Sequence, residues 1–343
     1  MSAERPAIAS IARRAGVAKS TVSRVLNGGY ASPGVKARVE AVMRESGYAP
    51  SATARNLSLG RTGCLGLVVG GFGSDWAGQI LVGLESQSVR HQFTLMLSSR
   101  WLAGQPRSCE AVEDWIRHRR VDGIIFCRAD AAEGRLLEAA RAAGIAVVHI
   151  GPDADFGPGI YLRTANVEGG TLLGRHLCGL GHRRVDMVGG PRDSVDTQER
   201  LKGLGTALRE GGAGLGRIHY ARFRHEDGVD YADAWLKSPP PARATAAVFA
   251  NDAMALGCLR RLLEKGVRVP AELSVAGFDD VPASALTWPG LTSVRQEMTQ
   301  MGGEAARLIA VARSRGGLKE YAHTFAMRLV PRESTGRCPQ SRR

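Results

Sequence analysis

Between residues 16 and 29 the chain reads GVAKSTVSRVLNGG, in which Lys19, Ser20, Thr21, Ser23, Arg24 and Asn27 surround Val22, Val25 and Leu26. The three apolar residues recur at i, i+3 and i+4, the spacing of one helix face, so the polar six fall on the remaining faces. Cations and hydroxyls displayed together suit a nucleic acid. Arg and Lys donate to guanine O6 and N7, Ser pairs less selectively, and hydroxyls also reach phosphate oxygens. Lys19, Ser20 and Arg24 are suitable readers of base edges, while Thr21 and Ser23 equally suit phosphates. A second set lies far along the chain: Trp76, Arg128, Arg200, Phe223, Asn251 and Asp279. Aromatic faces with guanidinium, amide and carboxylate groups suit a polar ligand rich in hydroxyls, such as a sugar. Each of these residues alone has a plain structural reading, as core, cap or surface charge.

The first set needs a small helical scaffold, and the sequence supplies one. Ile8, Ile11, Ala12 and Ala15 repeat at helical spacing and Gly16 ends that helix; the stretch above forms a second, stopped by Asn27-Gly28-Gly29. A third is punctuated by Ser32 as N-cap, Pro33 at the first helical position and Gly47 at its end, with Val35, Val39, Val42 and Met43 as its stripe. Two helices joined by a short Gly-containing turn and braced by a third make a helix-turn-helix, whose second helix enters a major groove. Ala18 offers no side chain to cap that helix. Charge points the same way. Residues 1–61 hold ten Lys and Arg against three Glu, a net of +7, while the other 282 of the 343 residues carry the remaining +6 of the total +13. A basic head on a nearly balanced body suits a polyanion.

After Tyr48-Ala49-Pro50 comes SATARNLSLGRTG (51–63), two or three helical turns at most. So short a helix is marginal in water unless something packs against it. Leu57 is then either an incidental linker residue or an apolar wedge for a minor-groove base step.

From residue 64 the rhythm changes. CLGLVV (64–69), FTLML (93–97), VDGIIFC (121–127), IAVVHI (145–150), RVDMVG (184–189), TAAVFA (245–250) and LSVAGF (273–278) read as strands. Helical segments such as 76–91 and 252–266 separate them. Near-continuous apolar strands alternating with helices imply parallel sheets covered on both faces. There are too many units for one sheet, so two lobes are expected, divided near GPGIYLRTA (157–165). In such sheets ligands bind beyond the strands' carboxyl ends, which is where most of the second set falls.

AGVAKSTVSRVLNGG followed by SPGVKARVEAVMRESGYAPSATARNLSLGRTGCLGLVV resembles the head and hinge of the lactose-repressor/galactose-repressor (LacI/GalR) family. GLGHRRVDMVGGP (179–191), TAAVFANDAMALG (245–257), VPAELSVAGFDDVP (269–282), LTSVRQ (291–296) and LVPRES (329–334) are similar to signatures of its body. The resemblance implies an all-α helix-turn-helix head (1–49), a hinge (50–62) and an α/β, two-lobed, periplasmic-binding-protein-like body (63–343) of parallel sheets flanked by helices. Lobe one would take about 63–161 and 292–323, lobe two about 162–291 and 324–337. It further implies that Lys19, Ser20 and Arg24 read bases, that Leu57 inserts at the centre of a palindromic operator with Ala54 beside it, and that Arg200, Asn251, Asp279, Phe223 and Trp76 meet a small effector. The function implied is a dimeric, effector-controlled transcription regulator, most simply a repressor; the alternative is a solute-binding protein without regulatory DNA binding. Three departures stand in the effector region: Ser74-Asp75-Trp76-Ala77 where the family often has Asn-Pro-aromatic-aromatic, Gly151 where an acid is common, and Ala165 where an Asp is frequent.

Other classes lack their chemistry. GFGSDW (71–76) is only superficially a dinucleotide loop, and no G-x-S-x-G, phosphate-binding loop or H-E-x-x-H is present, so neither an enzyme nor a cofactor is expected. The eight histidines show no ligand spacing for a metal, and His182 reads as structural. The six cysteines form no C-x-x-C pair and read as buried free thiols of a reducing compartment. MSAERPAIASIARRAG has no leader-like apolar segment and no run is long enough to span a bilayer, which predicts a cytoplasmic chain, nucleoid-associated when DNA-bound, with no membrane partner. A homodimer is expected, its two heads meeting two half-sites, and TGRCPQSRR carries no apolar heptads for a C-terminal coiled-coil tetramer.

Overall fold

A computed structural model describes residues 8–26, 29–48, 56, 60–73, 75–102, 105–106, 109–128, 133–151, 157–315, 318 and 320–339. Asn27, Ala54 and Leu57 lie outside the described residues.

The head consists of α1 (Ile8–Ala15), α2 (Lys19–Leu26) and α3 (Pro33–Glu45). Ile11, Val22 and Val39, one from each helix, are wholly buried against one another. Gly16 and Gly47 take φ of +64° and +60°, the left-handed geometry that ends α1 and α3. Ser32 precedes α3 as expected, yet its hydroxyl makes no cap; its carbonyl accepts the Lys36 N–H at 3.0 Å instead. The Ala18 carbonyl likewise accepts two N–H groups from the first turn of α2, those of Thr21 and Val22.

The body contains two six-stranded sheets. In chain order its elements are β1 (Cys64–Val69), α4 (Asp75–His91), β2 (Thr94–Ser99), α5 (Glu110–Arg117), β3 (Gly123–Cys127), α6 (Gly134–Ala142), β4 (Ala146–Ile150), β5 (Ile160–Thr164), α7 (Asn166–Gly179), β6 (Arg184–Gly189), α8 (Val195–Glu210), β7 (Gly214–Tyr220), α9 (His225–Lys237), β8 (Ala246–Phe249), α10 (Asp252–Glu264), β9 (Ser274–Asp279), β10 (Thr292–Arg295), α11 (Met298–Arg315), β11 (Tyr321–Phe325) and β12 (Arg328–Val330). Lobe one has the order β11-β5-β4-β3-β1-β2, and lobe two β12-β10-β9-β8-β6-β7. All pairings within these two sheets are parallel except β10 with β12. Among the described residues no helix is long and apolar enough to cross a membrane.

Two expectations need correction. GPGIYLRTA does hold the division between the lobes, but it is not irregular: residues 160–164 form β5, a strand of lobe one, and the chain leaves that lobe after Thr164. Its inward residues Ile160, Leu162 and Thr164 alternate with half-exposed Tyr161 and Arg163, because β5 lies beside the edge strand and is not buried on both faces. The chain therefore crosses between sheets after Thr164, Arg295 and Phe325, a few residues beyond the expected 161, 291 and 323. Among the cysteines, Cys127 and Cys258 are buried, while Cys64 and Cys178 are only half-buried; all six are free.

Paired helices in lobe two approach so closely that glycine is required on both. A Cβ at Gly170 of α7 would lie 2.2 Å from the Arg200 carbonyl oxygen, and one at Gly203 of α8 would lie 2.0 Å from that of Val167. This contact brings the start of α7 beside the middle of α8. His182, in the turn from α7 to β6, is wholly buried and bonds Thr245, Ser274 and the Gly336 carbonyl, fastening the C-terminal segment to lobe two.

In lobe one, His149 of β4 is 6% exposed and stacks on Tyr161 at 4.8 Å. Burial, aided by the charge of Arg141, pulls its pKa down to about 4. The folded protein thus holds it neutral, and the stability this represents is complete above the unfolded value of about 6.5 and is lost as pH falls towards 4. At ~1.4 kcal/mol per pKa unit, urea unfolding at pH 4.5 should show a loss of about 2–3 kcal/mol relative to pH 7 that His149→Gln lacks. Equal pH dependence in the two proteins would mean that His149 is not held neutral.

Candidate functional site

The cleft side of lobe two is organised by Arg200, on α8 and only 3% exposed. Its Nε donates to Asn166 Oδ1 at 2.8 Å, its Nη1 to the Ala250 carbonyl, and its Nη2 to Asp196 Oδ1 at 3.4 Å. The guanidinium also lies 4.0 Å from the Phe278 ring centroid. Asp196 is one turn earlier on α8, so this i,i+4 pair is built by the helix itself. Asn166, the first residue of α7, donates to Asp196 Oδ1 and to Glu199 Oε2, both at 3.0 Å. Burial alone would raise the Asp196 pKa, but the cations of Arg128 and Arg200 outweigh it and hold the carboxyl below the usual range.

The expected residues at strand ends take several positions around this centre. Arg128, the residue after β3, reaches across from lobe one to place Nη2 2.5 Å from Asp196 Oδ2. Its guanidinium sits 5.2 Å over the Phe223 ring. Phe223 follows β7 with φ of +64°, and its carbonyl accepts the Asn251 Nδ2–H at 3.0 Å. Asn251 is also the N-cap of α10, accepting the Met254 N–H at 3.1 Å, so much of its amide is committed to the fold. Asp279 ends β9 with φ of +113° and accepts from the Gln296 amide. Burial pushes its carboxyl up, against the nearby charge of Arg200. Trp76 stands apart: it packs on the core of lobe one and shares no hydrogen bond, ion pair or ring contact with the other five among the described residues.

Sequence reasoning missed Asn166, Asp196, Gly190 and Gln296. Only Asp196 carried a readable signal, an acid four residues before an arginine on a helix. Gly190 is required by shape, since a Cβ there would fall 2.0 Å from Phe223 Cζ.

On the head, Lys19, Ser20 and Arg24 are exposed and Thr21 and Ser23 half-buried, while Val22 is fully enclosed. At the root of the body, Asp122 precedes β3 and gathers the incoming chain. Its Oδ1 accepts the Thr62 N–H at 2.7 Å, and its Oδ2 accepts the Gly63 N–H at 3.0 Å. Arg313 of α11 pairs with the same carboxylate at 3.3 Å.

Residues 7–51 match the model of bacterial regulatory proteins of the lacI family, and residues 175–335 match that of a periplasmic binding protein-like domain. The HTH-type transcriptional repressor PurR of Mannheimia succiniciproducens is 30% identical over 310 residues, covering 88% of this chain and 90% of that one. The structure of the lac repressor dimer bound to operator and the anti-inducer ONPF superposes with a TM-score of 0.82 at 25% identity, covering 97% of this chain and 100% of the other. That of the transcriptional regulator CelR–cellobiose complex gives a TM-score of 0.68 at 28% identity, over 96% and 100%.

Gly190→Ala should force the Phe223 ring from its seat. Overpacking of this kind costs ~1–3 kcal/mol. Thermal unfolding should show that loss, and a crystal structure of the variant should show the ring rotated and its contact with Arg128 broken. An unmoved ring would mean that the backbone at 190 gives way instead.

Proposed function

The chain belongs to the lacI family of bacterial regulatory proteins, and from that premise we propose that its head reads a palindromic operator while its body closes on a small molecule that controls the reading. It is a transcription regulator with a DNA-binding head and an effector-binding body, and not an enzyme. We assign residues 1–49 to DNA recognition, 50–62 to a hinge and 63–343 to effector binding and dimerisation. The regulator acts as a cytoplasmic repressor that joins the nucleoid when bound.

The observation that carries this reading is the division of α2 into two faces. Val22 is fully enclosed by α1 and α3, and Lys19, Ser20 and Arg24 of the same helix are exposed together. A helix held from behind and free in front can enter a major groove with Lys19, Ser20 and Arg24 at the base edges. Thr21 and Ser23 are assigned to phosphates, and Asn27 is assigned to the DNA as well. Ala54 and Leu57 are assigned the minor groove at the operator centre.

The effector is assigned to the cleft around Arg200, with Arg128, Phe223, Asn251 and Asp279 as contacts and Trp76 at its edge. Acceptors at Asp279, an amide at Asn251 and the Phe223 face suit a carbohydrate-like molecule, and CelR, which is similar, was solved with cellobiose. A homodimer is supported by exposed apolar side chains on both lobes. Val82 and Val89 lie on α4, while Leu286 and Trp288, at 85% and 81% exposed, lie between β9 and β10. A dimer contact would cover such side chains.

Selection of duplexes from a random pool by the full-length chain should enrich a palindrome. Arg24→Ala should then lose ~1–3 kcal/mol at one base pair of each half-site and tolerate any base there. Uniform weakening on all sequences would make Arg24 a phosphate contact, and no enrichment even at low salt would sink the reading. Separately, Trp288→Asp should shift the chain from dimer to monomer in sedimentation; an unchanged dimer would place the interface elsewhere.

A further inference from the structure

Arg128 lies between Asp196 and Phe223, residues around which the effector has been assigned, and the way it is held restricts which ligand can displace it. Its stem passes over Gly151, where a Cβ would sit 3.2 Å from Arg128 Cγ. A side chain at 151 would crowd the arginine stem. The wall of lobe one presents a cation here. The guanidinium then covers the Phe223 ring at 5.2 Å and pairs with Asp196 of the opposite lobe.

The two partners do not depend on each other equally. Without Arg128, Asp196 still accepts from Asn166 at 3.0 Å and from Arg200 at 3.4 Å. Without Asp196 and Phe223, Arg128 has no other ion pair, hydrogen bond or ring contact for its side chain among the described residues. A neutral ligand lying on Phe223 would strip both contacts from a cation that is only 32% exposed and could return hydrogen bonds from its hydroxyls but no opposing charge, leaving Asp279 as the nearby acid. A ligand bearing a negative group would restore what it removed, in the bidentate geometry guanidinium favours.

We infer that the effector of this chain carries an anionic group, a carboxylate or a phosphate, which takes Arg128 from Asp196 while the uncharged part of the molecule lies on Phe223. This rests on the reading of the cleft as the effector site. Asp279 and Asn251 then face the hydroxyl-bearing part, and Asp196 remains neutralised by Arg200.

The test is calorimetric titration of the full-length chain with D-glucose, D-glucuronate and D-glucose 6-phosphate, and with the matching galactose and ribose sets of neutral sugar, sugar acid and sugar phosphate. At least one acid or phosphate should bind 10-fold or more tightly than its neutral parent, and the two arms tell carboxylate from phosphate. In Arg128→Gln that preference should vanish, with circular dichroism confirming the fold. Asp196→Asn, which removes the internal competitor, should strengthen the same anionic ligand several-fold, so the inference stays testable even if the Arg128 variant does not fold. A neutral sugar that binds as well as or better than its charged counterparts overturns the inference and leaves the effector cleft standing. So does an anionic preference that survives Arg128→Gln. Binding by no member of any set overturns the cleft assignment and the inference with it.

Discussion

A guanidinium withdrawn from water must be met by partners on every side, and Arg200 imposes that demand on the centre of lobe two. The start of α7 supplies Asn166, the preceding turn of α8 supplies Asp196, the end of β8 supplies the Ala250 carbonyl, and β9 supplies the Phe278 face. Four elements are fixed relative to one another by one side chain. Removing one member of such a cluster leaves a buried charge or amide unpaired, which costs far more than the net worth of any single bond. The position of α7 against α8, and so the glycines at 170 and 203, follows from the same demand, because Asn166 must reach Arg200. Asp196, anchored here, is in turn the group through which lobe one makes contact by way of Arg128.

How much of this was legible depends on what kind of residue carried the information. Inner strands such as β1, β3 and β6 are buried on both faces and announce themselves as continuous apolar runs. The edge strands β7 and β11 are half-buried or exposed along nearly all their length, with Phe325 alone enclosed, and GLGRIHY and YAHTF carry no such signal. The rule that ligands gather beyond strand ends pointed to Arg128, Phe223, Asn251 and Asp279, which lie around Arg200. It could not find Asn166, which begins a helix, nor Gly190, whose role is only to be absent beneath an aromatic ring. Trp76 satisfied the rule by position and packs into a core, since an aromatic on the first turn of a helix serves whichever apolar surface is nearest.

The head and the body are written in different physical terms. The head has a small core, centred on Ile11, Val22 and Val39, and spends its outer faces on charge. The body receives the chain that comes from it at Asp122, whose carboxylate takes the backbone N–H groups of Thr62 and Gly63 and pairs with Arg313. Arg313 lies near the end of α11, an 18-residue helix that begins two positions after Gln296, the residue holding Asp279. At ~1.5 Å per residue such a helix spans about 27 Å. One stiff element therefore touches the cleft at one end and the root of the head's tether at the other.

The three passages between the lobes have a consequence for how they can move. Thr164 stands opposite Phe325 on one side of the gap, and Arg295 opposite Arg328 on the other, so the passage after β11 runs beside both of its fellows. The Ala165 N–H, bonded to the Phe325 carbonyl at 3.1 Å, stitches two of them together within the gap itself. Three chains side by side form a ribbon, and a ribbon is stiff to shear and to rotation in its own plane but yields to flexing across its width. Each passage is one or two residues long, which leaves few torsions to share any other motion. The two lobes thus retain a single soft degree of freedom, and whatever occupies the cleft is reported to the rest of the molecule as one number, an angle.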